Sequence, residues 1–419
     1  MLNILIKAAT LVDPSQPKFH LKQVDISIKE GIIDKIGTQI TDAKATKIIE
    51  EEGLYVSAGW LDSGVSFGEP GYESRETLNN GVLTAAKSGF THLVLNTNTD
   101  PVPDNQNAIG HIKNKTRKAL ASVYPLGTLT KGAQGIDLAE LYDMTSQGAV
   151  GFYDYKQAIE NPNLLKIALQ YTQSFDGLVY SFPETPSLSK NGVAHEGVVA
   201  TSLGLKGNPS LSEHLQIQRD LHILRYTGGK LHIPTISSLE SIAWIKAAKK
   251  EGLDVSCSVA LHHLWANEEA LENFDTHAKL SPPLRTKKDQ KALQKALLEG
   301  VIDFVTTDHN PLDIEHKKVS FEQASYGSIG LEAAFGVLNS LFGIEKAVAI
   351  LSRGHQRFGI IAPQLTEGAT AHLSLFKPKV SYSQKLEDIY SSSKNSLYLG
   401  SNLQGKAFGS IHHNHMTLA

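Results

Sequence analysis

The fold is decided by residues 59–71, which read Gly59-Trp60-Leu61-Asp62-Ser63-Gly64-Val65-Ser66-Phe67-Gly68-Glu69-Pro70-Gly71. This stretch follows a short apolar run and precedes a helical pattern over residues 77–88. Such an arrangement is typical of the end of a buried strand and the loop after it. In barrels of alternating strands and helices, the carboxyl ends of the strands carry the chemistry. The loop after Asp62 is therefore where the sequence first predicts a functional site.

Strand and helix patterns alternate from about residue 56 onward. Candidate strands lie at residues 56–61, 91–95, 121–125, 149–153, 177–182, 230–236, 254–259 and 301–307. Helical patterns separate them, and several end at glycines that can supply a left-handed cap, such as Gly89, Gly252 and Gly300. Eight such units over about 250 residues predict an α/β protein with a (β/α)8 TIM barrel.

The two ends of the chain have a different pattern. Residues 24–29 alternate apolar with polar side chains, and residues 371–376 read as another strand. We therefore expect residues 1–55 and 365–419 to form one small β-sandwich domain. The barrel, at residues 56–364, is inserted between them.

Composition excludes several classes of function. The 419 residues carry a formal net charge of −3 and are 41% hydrophobic, as in soluble globular proteins. This charge predicts no strong attraction to nucleic acid or membranes, and the basic run at residues 111–118 is expected to be a solvated helix face. The single cysteine, Cys257, rules out an intrachain disulfide and is expected to be buried. A cytoplasmic location is predicted.

Short motifs at the predicted strand ends occur in a specific order. They are Glu69-Pro70-Gly71-Tyr72-Glu73, Asn98-Thr99-Asp100-Pro101, Lys279-Leu280-Ser281-Pro282-Pro283-Leu284-Arg285 and Thr306-Thr307-Asp308-His309. Together they resemble dihydroorotases of the amidohydrolase superfamily, of the larger type found in multifunctional pyrimidine-synthesis complexes. The resemblance implies reversible closure of carbamoyl aspartate to dihydroorotate. In that reaction two zinc-type ions share a hydroxide, and an aspartate after the eighth strand moves the proton.

The resemblance also implies histidine ligands at positions where this chain has other residues. On the first strand Gly64 and Ser66 replace two histidines, and Gly68 replaces an arginine that binds the substrate carboxylate. Phe182 and Thr235 stand at ligand positions of the fifth and sixth strands. Because a zinc site takes three or four good donors, we expect no metal centre and no cofactor.

Other family positions are kept. Asp154 and Asp308 remain at acidic positions, whereas Ser281 and Leu312 stand where the family has asparagine and histidine. The resemblance assigns the catalytic position to Asp308 and a substrate contact to Asn98. We expect Asp308 to be vestigial and to hydrogen-bond to nearby loops.

Four further features have simpler structural interpretations. His262 and His263 are predicted to pack in the wall of the site, and the histidines of residues 412–415 are predicted to be a surface run. Lys156 is predicted to be solvated. A serine nucleophile is disfavoured because no Gly-x-Ser-x-Gly elbow is present.

The sequence therefore favours a homodimeric pseudoenzyme of the dihydroorotase family, acting in pyrimidine biosynthesis as a non-catalytic partner of aspartate transcarbamoylase. Two alternatives remain open. One is an active dihydroorotase, or a related cyclic-amide hydrolase, with zinc at an atypical site. The other is a binding scaffold, like the non-enzymatic relatives of dihydropyrimidinase.

Overall fold

The computed structural model describes residues 3–42 and 45–419. Met1, Leu2, Ala43 and Lys44, which belong to the predicted first β segment, lie outside the described residues. The strands are β1 Ile4–Leu11, β2 Gln23–Lys29, β3 Ile32–Gly37, β4 Lys47–Glu50, β5 Tyr55–Ala58, β6 Trp60–Val65, β7 Phe90–Leu95, β8 Ser122–Pro125, β9 Leu178–Tyr180, β10 Ala194–His195, β11 Gly207–Asn208, β12 Lys230–Ile233, β13 Val255–Ala260, β14 Phe304–Thr306, β15 His372–Ser383, β16 Asn402–His412 and β17 His415–Leu418.

The helices separate the central strands and cover the barrel. They are α1 Leu78–Lys87, α2 Gln106–Thr116, α3 Leu141–Ser146, α4 Pro162–Thr172, α5 Pro186–Ser189, α6 Val198–Leu203, α7 Ser210–Thr227, α8 Leu239–Lys250, α9 Leu261–Trp265, α10 Lys287–Leu298, α11 Ile314–Lys317, α12 Ala334–Phe342 and α13 Ile344–Leu351. The helix α10 begins with a capping box between Thr286 and Asp289, which satisfies backbone N–H groups of its first turn. Among the described residues, no helix has the length and apolarity that crossing a bilayer takes.

The barrel is a ring of parallel strands. β6, β7 and β8 pair in one sheet, and β9, β12, β13 and β14 pair in another. Phe152 joins the two sheets, because it bridges to Gly127 on one side and to Val179 on the other. The prediction of a fourth strand over residues 149–153 was therefore right in position but wrong in extent. On the other side of the ring, the N–H of Ser66 donates to the carbonyl of His309 at 2.8 Å.

The prediction of one strand over residues 56–61 was wrong. β5 belongs to the sheet formed by the chain ends, and β6 is the first strand of the barrel. The chain passes from one to the other at Gly59, where a Cβ would overlap with the side chain of Thr91. A residue without a side chain is therefore required at this crossing.

Strands from both ends of the chain share an eight-stranded mixed sheet with the order β17-β16-β15-β5-β1-β2-β3, in which β4 also pairs with β1. It has an apolar core of its own, which includes Ile6, Ile26 and Leu373. Trp60, at the start of β6, is buried and lies 5.2 Å from Phe335 and 5.4 Å from Phe376, between ring centroids. This contact joins the barrel to the terminal sheet, giving a TIM barrel with a β-sandwich domain. The predicted domain limits at residues 55/56 and 364/365 stay predictions.

Candidate functional site

The loops after the barrel strands surround an open cavity of about 790 Å³ at the carboxyl end of the barrel. Its lining includes Arg75, Asn98, Glu184, Ser281 and Leu312. A second, inner cavity of about 20 Å³ lies against the strand ends. The side chains of Tyr155 and Lys156 line both cavities. They therefore separate the outer cavity from the strand ends.

The four positions at which the resemblance implies histidines lie around this mouth, and none of them offers an imidazole. Gly64 and Thr235 line the inner cavity. Phe182 is buried in an apolar cluster with Tyr153 and Tyr180. Ser66 is also buried, and its hydroxyl accepts a hydrogen bond from the Asn96 amide at 3.2 Å. None of these side chains is a strong zinc ligand.

Lys156 forms an ion pair with Asp308. The Lys156 Nζ lies 2.7 Å from Asp308 Oδ2, and the two side chains are 12% and 5% exposed. Burial raises the pKa of Asp308, while the Lys156 ammonium acts in the opposite direction. The prediction that Lys156 is solvated was wrong, whereas the expectation that Asp308 hydrogen-bonds to a nearby loop agrees with this contact, because Lys156 lies on the loop after the fourth strand position. The lysine is not solvated because this loop turns it inward over the barrel.

The backbone is strained at three of these strand ends. Lys156, Thr235 and Asp308 have φ values of +53°, +51° and +47°, in the left-handed region that residues with a Cβ disfavour. Each such residue costs on the order of 1–3 kcal/mol and persists only where the surrounding structure imposes it. The conformation of the mouth is therefore tightly specified by its surroundings.

Asp154, the other acid that the family pattern keeps, does not join this pair. Its Oδ1 accepts hydrogen bonds from the backbone N–H groups of Leu129 and Thr130, at 2.9 and 3.1 Å. The Thr130 hydroxyl donates to its Oδ2. Asp154 therefore holds the loop after β8, and the two retained acids have separate partners.

Asn98 lies at the rim of the outer cavity, as the resemblance implied for a substrate contact. Its Oδ1 is buried and has no hydrogen-bond partner in the described structure. Because a buried amide oxygen is costly to leave unpaired, this atom is suited to accept a hydrogen bond from water or a ligand.

The loop after β6 has no room for the family's arginine. A Cβ at Gly68 would overlap with the carbonyl oxygen of Tyr72, whose N–H donates to the Gly68 carbonyl at 2.6 Å. The tight turn over residues 68–72 therefore requires glycine. In its present conformation the loop excludes any side chain at this position.

The remaining histidines near the mouth are occupied by structural partners. His232 contacts the hydroxyls of Ser256 and Ser258 at 2.8 and 3.2 Å. His262 contacts the Tyr398 hydroxyl at 2.8 Å, and His263 Nε2 lies 3.1 Å from the Pro282 carbonyl. The prediction that His262 and His263 pack in the wall is consistent with these contacts.

His309 is also held away from Asp308. Its Nδ1 accepts a hydrogen bond from the N–H of Gly330 at 3.3 Å, and burial lowers its pKa to about 3. It is therefore a neutral imidazole near pH 7, with a backbone partner of its own.

The donor set at the mouth does not fit a pair of zinc ions. Such a pair needs histidine and carboxylate ligands around two ions about 3.5–4 Å apart, whereas the inner cavity of about 20 Å³ has room for about one water molecule. Within residues 3–42 and 45–419, the metal-ligating side chains close enough to share an ion are His372, His412 and His413. They lie at the other end of the barrel. The prediction that residues 412–415 form a surface run was wrong for His412, which is buried.

Sequence reasoning missed the partner of Asp308. Lys156 follows Asp154 by two residues, so it stands at the end of the fourth strand position, and that placement was the available signal. From there the Lys156 side chain reaches across the mouth to Asp308.

Comparison with known proteins finds relatives in sequence and in fold. The family profile described as "Dihydro-orotase-like" matches residues 54–241. The chain is similar to the dihydroorotase of Pelotomaculum thermopropionicum, with 36% identity over 417 residues, covering 98% of this chain and 97% of that protein. It is also similar to the dihydroorotase of Caldicellulosiruptor saccharolyticus, with 37% identity over 406 residues, covering 95% of this chain and 94% of that protein.

Among solved structures, the fold is similar to that of the L-hydantoinase from Arthrobacter aurescens. The TM-score is 0.85 at 21% identity, and the match covers 99% of this chain and 96% of that one. This likeness supports the barrel and sandwich architecture. Because the chain is more than 30% identical to curated dihydroorotases over nearly its whole length, it belongs to the dihydroorotase family of the amidohydrolase superfamily.

Proposed function

We propose that this chain is a dihydroorotase-family protein of pyrimidine biosynthesis that lacks the binuclear metal centre. In this proposal it acts as a non-catalytic partner of aspartate transcarbamoylase. The observation that carries the proposal is the buried ion pair of Lys156 and Asp308. A lysine ammonium neutralises the carboxylate that the family uses for proton transfer, in a place where metal ions would otherwise supply positive charge.

The pair also affects the chemistry available to Asp308. A general base must reach the proton it takes, with a free lone pair and a suitable pKa. One oxygen of Asp308 is engaged by Lys156, and the inner cavity beside it is too small for a dihydroorotate ring. In this proposal no metal ion is held to activate a water molecule, because Gly64, Ser66 and Thr235 stand at the positions of metal ligands.

A structural role is supported by what the chain keeps. The barrel, the terminal sheet and the strained strand ends are all present, although the side chains at the ligand positions differ. A non-catalytic partner needs a well-defined fold to present its binding surface, but it does not need the side chains of the active site. Aspartate transcarbamoylase is the partner we propose because of the role that the family resemblance implies.

The first experiment measures turnover. Purified protein is assayed for dihydroorotate hydrolysis and for carbamoyl aspartate cyclisation, with and without added zinc. We expect no rate above the protein-free blank. If the protein turns over substrate and the Asp308→Asn variant does not, the proposal that the chain is non-catalytic is wrong.

The second experiment measures assembly. The protein is mixed with the aspartate transcarbamoylase of the same host and examined by size-exclusion chromatography with light scattering. We expect a complex with a defined mass. If the two proteins elute separately at micromolar concentrations, the proposed partnership is wrong, whatever the turnover assay shows.

A working cyclic-amide hydrolase is the second candidate. It is favoured by the outer cavity of about 790 Å³, which retains Asn98 at its rim. The names of the curated relatives favour it as well. In this alternative a cyclic amide would bind above Lys156, and activity would depend on Asn98. Loss of turnover in Asn98→Ala, with normal stability, would support it.

A further inference from the structure

Five histidines cluster at the end of the barrel opposite the mouth. His92 lies near the amino end of β7, whereas the mouth lies beyond the carboxyl end of that strand. Its ring centroid is 5.1 Å from that of His355, 5.0 Å from that of His372 and 6.1 Å from that of His412. His413 packs against His372 and His412, with centroids 4.7 and 4.6 Å apart. The cluster therefore spans the contact between barrel and terminal sheet.

Strand register brings three of these imidazoles together. His372, the first residue of β15, is directly opposite His412, the last residue of β16. Their Nδ1 atoms lie 2.9 Å apart. His413 follows in the turn before β17, and one ligand atom from each of the three residues lies within 4.8 Å of the others. This is a convergent set of three nitrogen donors.

The cluster offers donor atoms of the kind that bind metals. A histidine binds a metal through the lone pair of an unprotonated ring nitrogen. The 2.9 Å contact between the Nδ1 atoms of His372 and His412 requires at least one of those two nitrogens to be unprotonated. The cluster also has an opening, since His412 is buried but His413 is exposed to solvent.

We propose that His372, His412 and His413 bind one divalent ion of the zinc type, with a water molecule completing the coordination on the exposed side of His413. Imidazole nitrogens are good ligands for zinc, copper and nickel. Zinc–nitrogen distances of about 2.0–2.1 Å place ligands of a tetrahedral site about 3.3 Å apart. The Nδ1 atoms of His372 and His412 need to separate by only a few tenths of an ångström to reach this spacing.

A neighbouring hydroxyl orients one of the ligands. The Nε2 of His412 lies 3.4 Å from the Ser122 hydroxyl at the start of β8. Metal-bound imidazoles commonly donate their other N–H to such a partner, which fixes the ring. The ion would thus fasten the last hairpin of the chain to β15, next to the floor of the barrel. We infer a structural role, because this end of a TIM barrel serves stability.

The test uses untagged, full-length protein treated with a chelator and then titrated with zinc against a chromophoric competitor. The key variant is His413→Asn, because asparagine tolerates the φ of +51° at this turn position but lacks the imidazole. We expect this variant to bind one zinc ion per chain fewer than the parent. We also expect zinc to raise the melting temperature of the parent but not that of His413→Asn.

The control is His111→Asn, which removes an exposed histidine from α2 without touching the cluster. It should bind zinc like the parent. His372→Gln provides a second test from the other strand and should also lose one ion. The proposal is overturned if parent and His413→Asn bind the same number of ions, or if His111→Asn loses as much zinc as His413→Asn.

This inference does not rest on the proposed function. An active enzyme would carry additional zinc at the mouth, and that zinc would remain in His413→Asn. The difference between parent and variant therefore reports on the histidine cluster alone.

Discussion

Lys156 Nζ lies 2.7 Å from Asp308 Oδ2, in a pair that joins the loops after the fourth and eighth strand positions of the barrel. Both backbones are in the left-handed region, so the structure specifies the positions of both charges. Taking two charges out of water is costly, and their attraction offsets that cost only when both partners are present. The pair therefore makes each residue depend on the other.

Removing only the cation should destabilise the protein. Lys156→Met leaves Asp308 buried without its partner, and breaking a buried pair in this way costs about 3–5 kcal/mol. We expect the free energy of unfolding, measured in urea, to fall by that order. A change of less than about 1 kcal/mol would show that the pair is not formed in solution.

The matched control for this pair is Lys156→Met with Asp308→Leu. Replacement of both charges by apolar groups of similar size is often neutral. The double variant should therefore recover most of the lost stability, and the double-mutant cycle should give a coupling of more than about 1 kcal/mol.

Two buried threonines at the mouth should respond differently to alanine. Thr235 has a left-handed backbone and a buried hydroxyl without a partner, so Thr235→Ala should change the free energy of unfolding by less than about 1 kcal/mol. The Thr306 hydroxyl donates to Asp62 Oδ1 at 3.0 Å and accepts from the N–H of Asp308 at 3.0 Å. Thr306→Ala should cost about 2–3 kcal/mol. Equal losses in thermal or urea unfolding would contradict the assignment.

The loop after β6 should tolerate no side chain at Gly68. In Gly68→Ala the new Cβ would overlap with the Tyr72 carbonyl, which is backbone and cannot rotate away. We expect a loss of about 1–3 kcal/mol, as for other overpacked sites. Gly37→Ala, where no atom lies within 4 Å of the added Cβ, is the control and should be nearly neutral. Thermal unfolding of both variants provides the comparison.

Acid should destabilise the protein through its buried neutral histidines. Burial lowers the pKa of His263 to about 4, whereas an unfolded histidine titrates near 6.5. Below about pH 6.5 the unfolded state therefore takes up a proton that the folded state does not, and stability falls until the pH nears 4. His309, with its pKa of about 3, extends this loss to lower pH.

The contribution of one histidine can be isolated. His263→Gln should reduce the slope of unfolding free energy against pH by about 1.4 kcal/mol per pH unit between pH 5.5 and 4.5. The control is the substitution of His111 by glutamine, which removes an exposed histidine and leaves the buried ones in place. An unchanged slope in His263→Gln would mean that His263 is protonated in the folded protein.

Much of the fold was predictable because it depends on local patterns. The capping box at Thr286 and Asp289, which marks the start of α10, is one such pattern, because its two residues are only three apart in the sequence. Cys257 is buried in β13, as was expected for the single cysteine of the chain. The limits of the first and fourth barrel strands were less predictable. The first strand begins after Gly59, where the backbone packs against the side chain of Thr91. The fourth is reduced to the bridges that Phe152 makes with Gly127 and Val179, which are distant in sequence.

The sequence alone determined which residues stand at the strand ends, and the family resemblance then predicts that Gly64, Ser66, Phe182 and Thr235 occupy histidine positions. Only the tertiary structure decided how the remaining polar groups pair. Asp308 forms an ion pair with Lys156 across the barrel mouth, and Asp154 accepts hydrogen bonds from the loop after β8. His412 contacts His372, which lies forty residues earlier in the chain. The physical reason is that burial and pairing depend on distances across the fold. Periodicity and motif spacing describe the chain only locally.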